Sequence, residues 1–205
     1  ARGDIVIIPF NDEAALQAAF AAHGRDAAAL MLEPINYDQG CILPKPGFLQ
    51  RCRELCDRHG VVLLFDEVLT AFRMAPGGAQ QYLGVTPDLC VLGKAFGGGT
   101  PISAVAGKRE IMQHLRPLGR SEMSGTYLAH LTTVLGALAA IEQYTRPGFY
   151  DRLNAVGEYF YRRFQEIIDR SGVPVRLQYA GPRFGMYFGI RDEVTNYRQA
   201  ALKDR

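Results

Sequence analysis

Residues 46–67 read Pro46-Gly47-Phe48-Leu49-Gln50-Arg51-Cys52-Arg53-Glu54-Leu55-Cys56-Asp57-Arg58-His59-Gly60-Val61-Val62-Leu63-Leu64-Phe65-Asp66-Glu67, and this stretch decides the fold. Phe48, Leu49, Cys52, Leu55 and Cys56 recur at intervals of three and four, with Arg51, Arg53, Glu54 and Asp57 between them, the pattern of an amphipathic helix. Pro46 suits a helix's first turn, and Gly60 is placed to end it. Val61 to Phe65 follows at once as an apolar strand that stops at the paired acids Asp66 and Glu67. Upstream, Ala27 to Leu32 is a compact apolar run closed by Glu33-Pro34, the pattern of a strand buried on both faces. Strand, helix and strand in that order predict a right-handed crossover and a parallel sheet.

Outward from this unit, Ile5 to Ile8 is a short β-branched run ended by Pro9 and predicts a further strand. Asp12 to His23, with Leu16 and Phe20 four apart, predicts a helix closed by Gly24. Downstream, Leu89 to Leu92 reads as a short strand ending at Gly93-Lys94, and Ile102 to Ala106 as another. Ala129 to Tyr144 is apolar at helical spacing, with Thr126 just ahead of it. Phe149 to Arg170 repeats that spacing with Leu153, Val156, Phe160, Phe164, Ile167 and Ile168 on one face, and Val173 to Ile190 alternates like strands. The breaker Arg146-Pro147-Gly148 divides the chain into 1–146 and 147–205. The expected fold is α/β: a mostly parallel sheet flanked by helices, followed by a partial α+β C-terminal domain.

The bulk numbers narrow the function classes. Of 205 residues, 48% are hydrophobic and 21% charged, which fits a soluble globular enzyme and neither a disordered nor a fibrous chain. The balance of 23 basic against 21 acidic residues leaves +2 with the signs interspersed, so no nucleic-acid footprint is expected. No apolar run approaches the ~20 residues needed to span a bilayer, and the N-terminus carries no signal pattern, so a cytoplasmic protein with no membrane partner is expected. The four cysteines, Cys41, Cys52, Cys56 and Cys90, are too sparse for a disulfide framework. Cys52, Cys56 and His59 could be read as a metal cluster, but the spacing is not that of a zinc site, and core-facing thiols are the expectation, with no metal.

The chemistry-bearing residues stand at strand ends. In open α/β sheets ligands bind beyond the carboxyl ends of the strands, where Asp66 and Lys94 both fall, the latter beside Gly97-Gly98-Gly99. Alone, an acid after an apolar strand is more often a helix cap or a surface turn, and a lysine closing a strand is usually solvated. Together they are complementary: an amine shielded from water becomes a Schiff-base nucleophile, and a carboxylate on a pyridine nitrogen keeps that ring an electron sink. A nucleotide-phosphate loop is a poorer reading, because that pattern puts its lysine after the glycines and before Ser or Thr, whereas Lys94 precedes them and Ala95 follows it.

The runs Leu64-Phe65-Asp66-Glu67-Val68-Leu69-Thr70-Ala71-Phe72-Arg73, Gly84-Val85-Thr86-Pro87-Asp88 and Leu92-Gly93-Lys94-Ala95-Phe96-Gly97-Gly98-Gly99-Thr100-Pro101 resemble the signature of class III aminotransferases. Gly77-Gly78-Ala79-Gln80-Gln81-Tyr82 is similar to a segment of the glutamate-1-semialdehyde 2,1-aminomutases within that class. The resemblance implies pyridoxal 5'-phosphate (PLP) as cofactor, a lysine aldimine at Lys94, and Asp66 on the pyridine nitrogen. It also implies Val68 against the ring and Glu33 near the phenolic side. Thr126 would reach the cofactor phosphate of a neighbouring subunit, and so a homodimer with shared active sites is implied. A small amino-acid or aminoketone substrate follows, with intermolecular transamination or a catalytically inactive PLP-fold module as alternatives. Two departures bear on substrate: Leu69 where many members carry glutamine, and Tyr127-Leu128-Ala129-His130-Leu131 where an Asn-Pro pair is common. Family members extend upstream of Ala1, with a phosphate-cradling loop, and beyond Arg205, so a fragment that alone binds PLP weakly is expected.

Overall fold

The computed structural model describes residues 4–202; the outer limits of the two expected domains, Ala1 and Arg205, lie outside the described residues. In chain order the elements are α1 (Glu13–His23), β1 (Ala29–Leu32), α2 (Phe48–His59), β2 (Val62–Glu67), α3 (Gly78–Leu83), β3 (Leu89–Leu92), a 3-10 turn (Lys94–Gly97), β4 (Ala104–Gly107), α4 (Arg109–Met112), α5 (Leu131–Tyr144), α6 (Phe149–Ser171), β5 (Val175–Ala180), β6 (Arg183–Phe188) and α7 (Tyr197–Ala200). β1 to β4 form one sheet in sequence order. β1, β2 and β3 run parallel and β4 returns antiparallel, so the sheet is α/β and mostly parallel.

The decisive stretch folds as its pattern requires. Phe48, Leu49, Cys52, Leu55 and Cys56 are buried with Leu16 and Phe20 of α1 and with Leu63 and Phe65 of β2. The helix begins two residues later than a proline in its first position implies, because Gly47 takes the capping position with φ +83°. Its far end is closed by Gly60 at φ +69°, whose N–H donates to the Cys56 carbonyl. All four cysteines are free and buried. Burial pushes the Cys52 and Cys56 thiols up to about 12, leaving them with little thiolate character.

Three readings are corrected by the structure. Ile5 to Ile8 belongs to no strand, with Ile5 and Ile7 exposed and only Ile8 packed on the core. β-branched residues favour extended backbone, yet a strand also needs a hydrogen-bonding neighbour. β1 is not buried on both faces: its residues alternate, and Met31 is 58% exposed because no described element covers that side. On α6, Val156, Phe160 and Ile167 are exposed, whereas Gly157 and Tyr161 are buried. The buried stripe is rotated because Tyr161 stacks on Tyr179 at 3.9 Å and donates to the Gly181 carbonyl.

The hairpin β5–β6 forms its own two-stranded sheet and is pinned to the loop leaving β1. Tyr37 Oη donates to the Ala180 carbonyl at 2.5 Å, Gln178 Nε2 to the Cys41 carbonyl at 3.0 Å and Tyr187 Oη to the Gly40 carbonyl at 2.7 Å. At Gly185 a Cβ would stand 1.6 Å from the Gly40 carbonyl oxygen, so only glycine permits this approach.

Asp88, at the entry to β3, ties the helical layer to the sheet. It accepts from Lys108 Nζ at 2.6 Å, Arg53 at 2.8 Å and the Leu63 N–H at 2.7 Å. Burial pulls its carboxyl up, but the hydrogen bonds from Lys108, Leu63 and Arg53 outweigh that and hold it below its ordinary 3.8. A depressed folded-state pKa contributes stability above the unfolded value that is lost as pH falls through the folded one. Asp88→Asn is therefore expected to lower the urea midpoint at neutral pH and to flatten its decline below about pH 4. An unchanged acid limb would refute this role.

Candidate active site

The carboxyl ends of the three parallel strands lie side by side. Leu32 pairs with Phe65, and Asp66 with Val91, in register. Glu33, one residue beyond β1, therefore stands opposite Asp66, and Lys94 follows two residues after β3. Neighbouring strands are about 4.8 Å apart, so an acid, a second acid and an amine share one edge of the sheet.

Along β2, Leu63, Phe65 and Glu67 are buried while Leu64 and Asp66 are half-buried, which places Asp66 on the more open face. Its Oδ1 accepts the Val68 N–H at 3.0 Å, fixing the turn out of the strand. Val68 in turn packs on Gly93, where a Cβ would meet Val68 Cγ1 at 3.3 Å. The residue preceding the lysine must therefore be small for Val68 to lie there. Glu33 accepts the Tyr37 N–H at 3.2 Å. Burial first, and then the charges of Asp66 and Asp38, push its carboxyl above 4.5.

Lys94 opens the 3-10 turn with φ +45°, a left-handed conformation that costs a residue with a side chain about 1–3 kcal/mol. Contrary to the expectation of an amine shielded from water, Lys94 is exposed. The strain is held by packing on α5. A Cβ on Gly98 would lie 2.6 Å from Ala140 Cβ, and Thr100 Oγ1 donates to the Gly97 carbonyl at 2.7 Å. Tyr144 Oη donates to the Ala95 carbonyl at 2.9 Å. Phe72, itself at φ +56°, stacks on Phe96 with centroids 6.1 Å apart, and its carbonyl accepts from Tyr150 Oη. The turn carrying Lys94 and the loop following Asp66 are thus joined by one aromatic clamp, which sequence reading missed because its members are up to 78 positions apart.

Thr126 is not gathered with these groups. It lies on an exposed turn over residues 126–129 and forms no hydrogen bond among the described residues. α5 begins only at Leu131, with His130 as a cap that makes no side-chain bond, so Thr126 does not stand at the helix start. His130 stacks edge-on against Tyr127 and faces solvent. A cavity of about 560 Å³ bordered by Ile8, Phe20, His23 and Leu30, and a smaller one of about 170 Å³ touching Glu33, are not lined by Asp66 or Lys94. Asp66 and Lys94 stand at the strand ends, outside both of these hollows.

The donor set is specific: an exposed amine on a strained turn, a carboxylate on the adjacent strand end, and an isopropyl group between them. Residues 6–202 match the family described as aminotransferase class III. The chain belongs to the class III aminotransferases. Among solved structures it is similar to an omega-transaminase from Sphaerobacter thermophilus, at 34% identity and TM-score 0.90, over 97% of this chain and 45% of that one. It is also similar to a beta-phenylalanine aminotransferase from Variovorax paradoxus, at 30% identity and TM-score 0.89, over 97% and 46%. A glutamate-1-semialdehyde aminomutase from Pseudomonas aeruginosa PAO1, in complex with PMP, matches at 27% identity and TM-score 0.81, over 98% and 46%. The chain thus spans under half the length of these class III structures.

Proposed function

We propose that this class III chain carries the amine and ring-nitrogen side of a PLP site and that the whole protein transfers an amino group on a small amino-acid or aminoketone substrate. The observation that carries the reading is the pairing of Lys94, held at φ +45° by the α5 clamp, with Asp66 on the next strand end. Backbone strain persists where surrounding structure enforces it, and it concentrates at functional sites.

The donor set fits PLP. Nζ of Lys94 would hold the group covalently, and the Asp66 carboxylate would face its ring nitrogen. Val68 would lie along the ring, and Glu33, with its raised carboxyl, would stand at the phenolic side. Bound there, PLP supplies the electron sink on which amino transfer depends. Within each half-reaction, Lys94 Nζ would take and return a proton at the substrate's amine-bearing carbon. The Asp66 carboxylate, held by the Val68 N–H, supplies a fixed negative charge. Thr126, exposed on its turn, is proposed to serve the cofactor phosphate of a second subunit. Homodimerisation is supported by an apolar stripe on α5, where Leu131, Leu135 and Leu138 are all exposed. The division at 146/147 is supported by the separation of the chain into two sheets.

Borohydride reduction of the PLP-loaded protein followed by peptide mapping tests the assignment. Label is expected on Lys94, and label on Lys45 or Lys108 instead would overturn it. An intermolecular transaminase is the second reading, favoured by higher identity to the two transaminases than to the aminomutase. It requires a separate keto-acid acceptor to restore the cofactor form, whereas the aminomutase cycle does not. Among the described residues no helix is long and apolar enough to cross a membrane, and four buried free thiols support a reducing, cytoplasmic setting.

A further inference from the structure

A cavity of about 360 Å³ opens where the last turn of α6 meets the outer end of the β5–β6 hairpin, and its lining includes Ile168, Asp169, Val175, Arg176, Leu177 and Arg191. Backbone contacts fix its walls. α6 ends at Gly172 with φ +69°, and the Gly189 N–H, just past β6, donates to the Pro174 carbonyl at 2.8 Å. Arg191 Nη2 reaches across to the Gly172 carbonyl at 3.3 Å. Neither Asp66 nor Lys94 lines this cavity. Arg176 stands five residues before Gly181, the turn at which a Cβ would meet Met74 Cβ at 2.8 Å. A strand rises about 3.4 Å per residue, which puts Arg176 about 17 Å from that turn.

The charges around it are unmatched. Arg176 makes no side-chain hydrogen bond or ion pair among the described residues, and its Nε is buried in that state. A buried donor without an acceptor has lost its hydrogen bonds to water and gained none in return. Arg191 uses one of five N–H donors on a neutral carbonyl. The carboxylate on the cavity wall, Asp169, accepts from Gln165 Nε2 at 2.8 Å and pairs with neither arginine among the described residues. Two cations against one anion leave a single positive charge. Beside them Ile168, Val175 and Leu177 form an apolar wall, with Leu177 buried.

We propose that this cavity binds a small monocarboxylate with a short apolar chain, its carboxylate held by Arg176 and Arg191 and its chain laid on Ile168, Val175 and Leu177. Guanidinium forks match the planar oxygens of a carboxylate, and one negative charge balances the excess. A phosphate ester, at about −1.5 to −2 near neutral pH, would bring more charge than the cavity offsets and gain nothing from the apolar wall. The volume lies within the range of about 300–1,000 Å³ typical of small-molecule sites. Binding here is independent of amino transfer at the strand ends, and a bound acid would tie the end of α6 to the hairpin.

The test is calorimetric titration of the protein at low ionic strength with isocaproate, a branched-chain acid that has neither an amine nor a keto group to exchange. Saturable binding is expected, at least about tenfold weaker in Arg176→Gln and for the uncharged isocaproamide, with Arg176→Lys recovering part of the loss. Asp169→Asn should tighten binding about two- to fivefold by removing an exposed like charge, a gain that a misfolded variant would not give. Lys94→Ala should bind as the parent does. No saturable binding, or equal affinity of the parent and Arg176→Gln, overturns the site, and so does Asp169→Asn binding no more tightly than the parent. Isocaproamide binding as well as isocaproate overturns the role of the charges. Inorganic phosphate displacing isocaproate at equal concentration overturns the carboxylate assignment. Loss of binding in Lys94→Ala places the acid at the strand ends and overturns this cavity as its site.

Discussion

Alanine in place of Lys94 is expected to lower amino transfer by at least about 10³-fold, since one substitution removes both the covalent anchor and the proton carrier. The borohydride label should vanish with it. Stability should move by no more than about 0.5 kcal/mol, because Lys94 is exposed and its side chain makes no hydrogen bond or ion pair among the described residues. That combination separates a chemical role from a structural one: urea midpoints of the two proteins coincide while turnover collapses. Substantial residual turnover, with label shifted to Lys108, would reverse the assignment. Lys108 is a poor substitute, being committed to Asp88 at 2.6 Å.

The opposite outcome is expected at the neighbouring acid, Glu67, which is wholly buried. Its carboxylate accepts from the Ala79 N–H at 2.6 Å, the Gln80 N–H at 3.2 Å, Gln80 Nε2 at 3.0 Å and Thr70 Oγ1 at 2.9 Å. It thereby satisfies the first amides of α3 and ties that helix to the end of β2. A Cβ on Gly78 would come within 2.3 Å of Glu67 Oε2, so the chain is closed tightly on this group. Glu67→Ala would strand several buried donors, and a loss of about 3–5 kcal/mol is expected, read from the urea midpoint. Glu67→Gln should recover only part, because its amide sets N–H groups against N–H groups. A loss below about 1 kcal/mol would show that water replaces the carboxylate there. Asp66 and Glu67 are adjacent acids with unlike tasks, and the pleat of β2 assigns them by turning one to the open face and the other inward.

That division illustrates what the sequence makes legible. The helix at 48–59 follows from its periodicity, and strands β2 and β3 from short apolar runs that stop at charged or glycine residues. Asp66 and Lys94 fall at strand ends and so could be read as a pair from their spacing, whereas Val68 and Glu33 joined them only through the family resemblance. Contacts between distant segments left no local trace. The Tyr144–Ala95 bond spans 49 positions, and the Tyr37–Ala180 bond, which depends on how a hairpin docks, spans 143. Ile5 to Ile8 carries the composition of a strand without a partner to complete it, and nothing in its own residues reports that. The apolar run after Thr126 suggests a helix start beside it, while the helix itself starts only at Leu131.

The left-handed backbone at Lys94 has an evolutionary consequence. Glycine or asparagine would sit there more comfortably than any long side chain, so selection for foldedness and selection for chemistry pull against each other at a single position. A descendant of this chain relieved of turnover should drift toward those two residues and gain stability by doing so, while one still under catalytic selection must keep the less comfortable amine.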